Sequence, residues 1–175
     1  LLAAFPALRE AIARPLWPEL CDGFDLELAY FAVMTYRLPL AATYEVCGRL
    51  HVRRRTVDAL VLLDRLRRRA DVIASPPSPS ALDALLSRAT DEVLAALWAA
   101  SDNAEARASV VDYARRLRHI TPVATGETLK ARGLPPGPAY RTILERLRRA
   151  WLDGELTSAA EEEARLNAEL AEELS

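Results

Sequence analysis

The sequence predicts an all-α chain of about eight or nine helices that ends in a proline- and glycine-locked helical hairpin. Three observations carry this. Apolar residues recur with a spacing of three and four along nearly the whole length. No stretch shows sustained alternation, β-branched enrichment or a turn dipeptide between strand-like runs. Clusters of Pro, Gly and Ser fall between the periodic segments, where they punctuate rather than interrupt.

The elements follow in order. Asp25 heads DLELAYFAVMTYRL as an N-cap, and Pro39 opens PLAATYEVCGRL, where a first-turn proline gives up no hydrogen bond. The segment 56–74, TVDALVLLDRLRRRADVIA, reads as a further helix with apolar residues at Val57, Leu60, Val61 and beyond, and with Arg65, Arg68 and Arg69 sharing one face. SPPSPS, residues 75–80, is a break no helix crosses. After it Ser80-x-x-Asp83, Thr90 with Asp91 and Glu92, and Asp102-x-x-Glu105 each carry a helix-start signature. Tyr140, Ile143, Leu144, Leu147 and Trp151 then form a narrow apolar stripe opposite Arg141, Glu145, Arg148 and Arg149. Asp153-Gly154 ends that helix and Ser158-x-x-Glu161 starts the last one.

The hairpin is the stiffest part of the chain. Residues 126–144, GETLKARGLPPGPAYRTIL, hold three Gly and three Pro. Gly133 is placed for a left-handed helix end. Pro135 and Pro136 fix φ, Gly137 is expected to supply a reversal, and Pro138 opens the next helix. The domain reading is a helical region over 1–74, a Pro/Ser linker over 75–80, and a second helical region over 81–175 that contains the 126–152 hairpin.

Charge and composition narrow the function. Residues 151–175 carry eight acids and one Arg, which leaves 22 bases against 17 acids before them. Those bases are Arg except for Lys130, and Arg forks onto phosphate where Lys does not. No apolar run reaches membrane-spanning length. Two cysteines, Cys21 and Cys47, give no disulfide framework and suit a reducing cytoplasm. The chain starts at Leu1 and its single methionine is Met34, so it reads as a piece of a longer polypeptide.

Catalytic signatures are missing from this reading. There is no Asp-x-Asp; Asp25-x-Glu27 would point its carboxylates to different helix faces. Without strands there is no strand-flanked Gly-rich phosphate loop, and no Ser, Cys or His sits in a nucleophile motif. Cys47 and His51 are four apart, but a zinc site would need Cys21 and His119 from remote positions, so no metal is expected. Trp98 and Trp151 read as core, and Trp17, between prolines, as packing at a domain junction. The acidic stretch from Glu161 to Glu163 onward reads as a solvated face.

The basic residues divide. Arg53, Arg54 and Arg55, near Arg49, read either as phosphate contacts along RNA or as a solvated helix start, awkward for cations unless an anion offsets them. Arg65, Arg68 and Arg69, and likewise Arg115, Arg116 and Arg118, end helices where positive charge is favourable anyway. Arg141 and Arg148 share a face, with Glu145 between them able to pair with either.

The motif Gly-x-x-Leu-x-x-x-Gly-Leu-x-Pro-Gly-Pro-x-x-x-x-Ile-Leu, met by Gly126, Leu129, Gly133, Leu134, Pro136, Gly137, Pro138, Ile143 and Leu144, resembles the C-terminal body and tail region of bacterial tRNA nucleotidyltransferases of the poly(A) polymerase-like class, the CCA-adding and A-adding enzymes. AWLDGELTSAAEEEARL is similar to their Leu-Asp-Gly and Glu-rich ending, and YRLPLAATYEVCGRLHVRRRTVDALVLL to their body helices. The likeness covers most of the chain; its specific motifs lie from residue 126 onward. Two positions depart: Thr128 stands where the family usually has Asp, and Arg141 where it often has Gly.

The resemblance implies a tRNA-processing transferase of the cytoplasm whose N-terminal catalytic head, part of the same polypeptide, is absent here. That head would use Mg2+ with CTP or ATP; no cofactor is expected in this region. This region would bind tRNA at its acceptor stem and elbow, through Arg49, Arg53, Arg54, Arg55, Arg141 and Arg148. Two other readings stay open: a structural or protein-interaction helical domain, and a DNA-backbone binder, since Gly-x-Pro-Gly-Pro is similar to helix-hairpin-helix turns.

Overall fold

The structure, a computed structural model, describes residues 3–20 and 23–173, with side chains except at 19, 172 and 173. The helical periodicity becomes eleven α-helices, nine of them at least seven residues long, and no strand among the described residues. They are α1 (Ala4–Ala13), α2 (Leu26–Thr35), α3 (Leu40–Arg49), α4 (Arg54–Arg67), α5 (Ala70–Ala74), α6 (Pro79–Leu86), α7 (Asp91–Ala100), α8 (Ala104–Arg115), α9 (Gly126–Ala131), α10 (Pro138–Leu152) and α11 (Ala159–Glu173). Single 3-10 turns occupy Pro18–Leu20 and Leu117–His119. The chain forms two compact units, Leu1–Pro77 with Ala81–Arg118, and Ser78–Ser80 with His119–Ser175. Among the described residues no helix is long and apolar enough to cross a membrane.

The first unit is built around α7. Its sequence, DEVLAALWAA, is apolar all round after the first two residues, the pattern of a helix enclosed by others. Val93, Leu94, Ala95 and Ala96 are fully buried, and α1, α2, α4 and α8 pack on it. The acids at its N-terminus favour the helix dipole and gather the surrounding loops. Asp91 accepts from the buried Trp17 indole at 2.7 Å and from Arg118 at 2.8 Å, while Glu92 accepts from the Asp25 amide at 3.0 Å. Trp17 is thus a core residue of this unit. Trp98 lies at its margin, with the Arg107 guanidinium over its ring at 4.2 Å.

Several helix ends form as the sequence signals. Asp25 caps α2 by accepting from Leu28 N at 3.0 Å, and Pro39 precedes α3. Others shift. The 56–74 segment is not one helix: α4 closes at Arg67, and Arg69 N donates to Leu66 O at 2.9 Å, a tightened turn that restarts the chain as α5. Asp64 accepts from both Arg67 and Arg68 at this break, at 2.7 and 2.8 Å. The cap of α8 is Asn103, whose side chain accepts from Ala106 N at 2.9 Å; Asp102 instead pairs with Arg37. Ser80 is no cap, because α6 starts one residue earlier, at Pro79.

The second unit stacks α9, α10 and α11 around Leu129, Leu134, Ile143, Leu147, Leu166 and Leu170. Its first loop is held by a buried acid. Glu162, 2% exposed, accepts from Val123 N at 2.9 Å, from Ala124 N at 2.6 Å and from the Trp151 indole. This corrects the expectation of a wholly solvated acidic face: one residue of the Glu161–Glu163 run points inward. Thr125 and Thr128 form a capping box on α9, so Thr128 does locally what an acid at that position would do. Within this unit the Asp153 carboxylate accepts from Ser80 N and Oγ at 2.8 and 2.7 Å.

The hairpin turns at Gly133, not at Gly137. Gly133 has φ +86°, its amide donates to Lys130 O, and Leu134 N reaches back to Leu129 O, which closes α9 with a left-handed cap. Gly137 is extended, at φ 178° and ψ −172°, and an added Cβ would meet only Pro135 O at 3.9 Å. The expected reversal at Gly137 is therefore corrected. Pro138 begins α10 as expected, Tyr140 Oη donates to Leu134 O at 2.8 Å, and its ring lies 3.6 Å from where a Gly126 Cβ would be.

Candidate nucleic-acid interface

The sequence-predicted arginines fall into two groups. Arg49, Arg53, Arg54 and Arg55 meet at the corner between α3 and α4 of the first unit; Arg141 and Arg148 lie on α10 of the second.

The corner is set by how α3 ends. Val52 N donates to Cys47 O and His51 N to Gly48 O, the same reverse cap that Gly133 and Gly154 make elsewhere. Here the left-handed position is His51, at φ +52°, the one non-glycine with positive φ among the described residues. A Cβ there costs about 1 kcal/mol or more. His51 Nδ1 lies 3.2 Å from Arg49 O, and Leu50 beside it is 61% exposed. Together with Asp25, Leu28, Arg53 and Arg55 they line an open cleft of about 520 Å³.

Charge in this cleft is partly neutralised. Arg54 and Arg55 occupy the first turn of α4, where a cation opposes the helix dipole. The offsetting anions are Asp58, 3.0 Å from Arg54, and Asp25, 3.2 Å from Arg55. Arg49 and Arg53 are exposed and have no ion-pair partner among the described residues. They are the cations of this corner best able to meet an outside anion.

On α10, Arg141 is exposed and pairs with Glu145 at 2.8 Å, as the sequence anticipated. Arg148 is half-buried. An open cleft nearby, which sequence reasoning did not single out, holds Arg146, Arg149 and Arg165 around Glu169, 2.6 Å from Arg146 and 3.5 Å from Arg165. The amides of Arg132, Gly133 and Leu134 all donate to α9 carbonyls, and three residues of the turn are prolines. That leaves the turn poorly equipped to grip a backbone through its amides.

Among the described residues no three His, Cys, Asp or Glu side chains could hold an ion together. Cys47 is buried, and burial pushes its thiol pKa up, while His51 faces outward. Cys21 lies outside the described residues. Asp25 and Glu27 do not act as a pair: Asp25 caps α2 and binds Arg55.

Sequence comparison supplies the remaining context. The chain is 32% identical over 157 residues to an A-adding tRNA nucleotidyltransferase of Geobacter sulfurreducens, an alignment covering 83% of this chain and 17% of that protein. No protein-family model matches the sequence, and no solved structure matches it.

Proposed function

From the premise that this chain is a distant homologue of a region of an A-adding tRNA nucleotidyltransferase, we propose that it holds tRNA for a nucleotide-adding enzyme and does no chemistry itself. The observation that carries this is the α3–α4 corner, where Arg49 and Arg53 stand exposed beside Arg54, Arg55 and His51. Exposed arginines suited to phosphate, with no converging acid set among the described residues, support a reading of binding.

The ligand of this reading is duplex RNA of the acceptor stem and elbow, met by shape and charge. Binding far from the reacting atoms places the 3′ end and lowers the entropic part of the barrier elsewhere. The divalent metal and the CTP or ATP of such an enzyme find no donor set in the described residues. They belong, in this proposal, to a catalytic head on the same polypeptide.

A salt titration tests the proposal. Fluorescence anisotropy of labelled tRNA should show affinity falling steeply with salt, and R49A/R53A should flatten the slope by about 1.5 to 2. Absence of tRNA binding at low salt, or affinity indifferent to salt, would overturn it in favour of a structural module. That second reading draws on the pairing of Arg54, Arg55 and Arg141 with acids of the same chain.

A further inference from the structure

The outward face of α4 carries arginines at both ends, with Asp58, paired with Arg54, between them. Arg54 and Arg65 are eleven residues apart, three helical turns within about 20°, so both lie on one face about 16 Å apart along the axis. Asp58 and Val61 lie on the same stripe; Arg68 caps α4 in helical geometry, and Arg69 follows it as the N-cap of α5. Arg65 and Arg69 are exposed and have no ion-pair partner among the described residues. Arg67 and Arg68, by contrast, share Asp64. Half-buried Val61 and Leu62 keep the middle of the face low, and the Asp58 charge there is answered by Arg54 at 3.0 Å.

Resting on the reading of this chain as an RNA holder, we propose that the outer face of α4 lies across the minor groove of an RNA duplex. Arg53 and Arg54 contact the phosphates of one strand, and Arg65 and Arg69 those of the other. A-form RNA presents a wide, shallow minor groove flanked by two phosphate rows. Cations at two separated ends with a flat middle complement that surface. A single strand would reward a continuous basic track, which Asp58 and Val61 interrupt. The C-terminal arginines do more than satisfy the dipole of α4, because Arg67 and Arg68 already lie at that end.

The test uses the full chain and an RNA duplex of about 16 base pairs, its single strand, and a DNA duplex of the same sequence. Arg65→Ala with Arg69→Ala should weaken duplex RNA binding about tenfold at low salt and lower the salt slope by about 1.5 to 2. The same pair should erase the preference for duplex over single strand. R65K/R69K should restore the slope, and R88A, an exposed arginine off this face, should leave binding unchanged. Thermal unfolding of the three variants should match the parent chain. If the chain binds tRNA and R49A/R53A weakens it while R65A/R69A behaves like R88A, the α4 assignment is wrong and the tRNA reading stands. Equal or tighter binding of the DNA duplex would also overturn the assignment. Binding of neither tRNA nor the RNA duplex would remove both readings.

Discussion

Replacing Glu162 by Ala should unfold the second unit more effectively than any surface change. The carboxylate is 2% exposed and accepts from two backbone amides, at positions 123 and 124, and from the Trp151 indole. A hydrogen bond to a charged acceptor contributes about 1.5–3 kcal/mol, and a buried donor left without a partner costs about 1–3 kcal/mol. Three donors stranded together, partly relieved by entering water, give about 3–5 kcal/mol. A unit of this size, residues 119–175 with Ser78–Ser80, has about 3–9 kcal/mol in total. E162A should therefore leave much of it unfolded at ambient temperature. E162Q keeps one carbonyl acceptor but turns an amide N–H toward a donor, and should cost about 2 kcal/mol. Urea denaturation read by near-ultraviolet dichroism measures the loss. Amide exchange at Val123 and Ala124 localises it: both should exchange much faster in E162Q. A cost below about 1 kcal/mol for E162A would show that water replaces the carboxylate and that the assignment of its role is wrong.

Three further outcomes are expected. His51→Gly should stabilise the first unit by about 0.5–1 kcal/mol, because glycine takes the left-handed cap without a Cβ clash; a loss of stability would refute the cap as the origin of strain. Gly133→Ala should cost about 1 kcal/mol while Gly137→Ala stays within about 0.5 kcal/mol of the parent, and equal costs would contradict the turn assignment. Asp64→Asn should cost about 1–2 kcal/mol near neutrality. Burial alone would raise the Asp64 pKa, but the hydrogen bonds and charges of Arg67 and Arg68 outweigh it and hold the group below the usual carboxylate value. Its stabilisation is then present above the unfolded pKa of about 3.9 and lost as pH falls through the lower folded value, so the gap between parent and D64N should close in acid.

What the sequence disclosed depended on whether a signal was local. Asp25 before α2, Pro138 at the start of α10 and Gly133 at the end of α9 act within one turn of themselves, and each was readable. The break between α4 and α5 was hidden because the apolar period runs through it. The second acid of the Glu161–Glu163 run looked solvated because the amides it meets come from a loop 38 and 39 residues away. Asn103 caps α8 where the sequence favours Asp102, because Asp102 pairs with Arg37 across 65 residues. The site follows the same rule. The Arg53–Arg55 run was visible as a string, and its counter-ion Asp58 is local, but Asp25 reaches Arg55 only through the fold. Arg65 needed the helix geometry, an eleven-residue interval, to join Arg54 on one face.

The alanines of α7 constrain the chain's future as well as its present shape. With Ala95, Ala96, Ala99 and Ala100 all buried among neighbouring helices, an added methylene must displace a whole helix, at about 1–3 kcal/mol. Removing the methyl to leave glycine weakens the helix itself by about 1 kcal/mol. Evolution can therefore move this segment in neither direction cheaply, and variation among descendants of this chain should accumulate around α7 while its inner residues stay small.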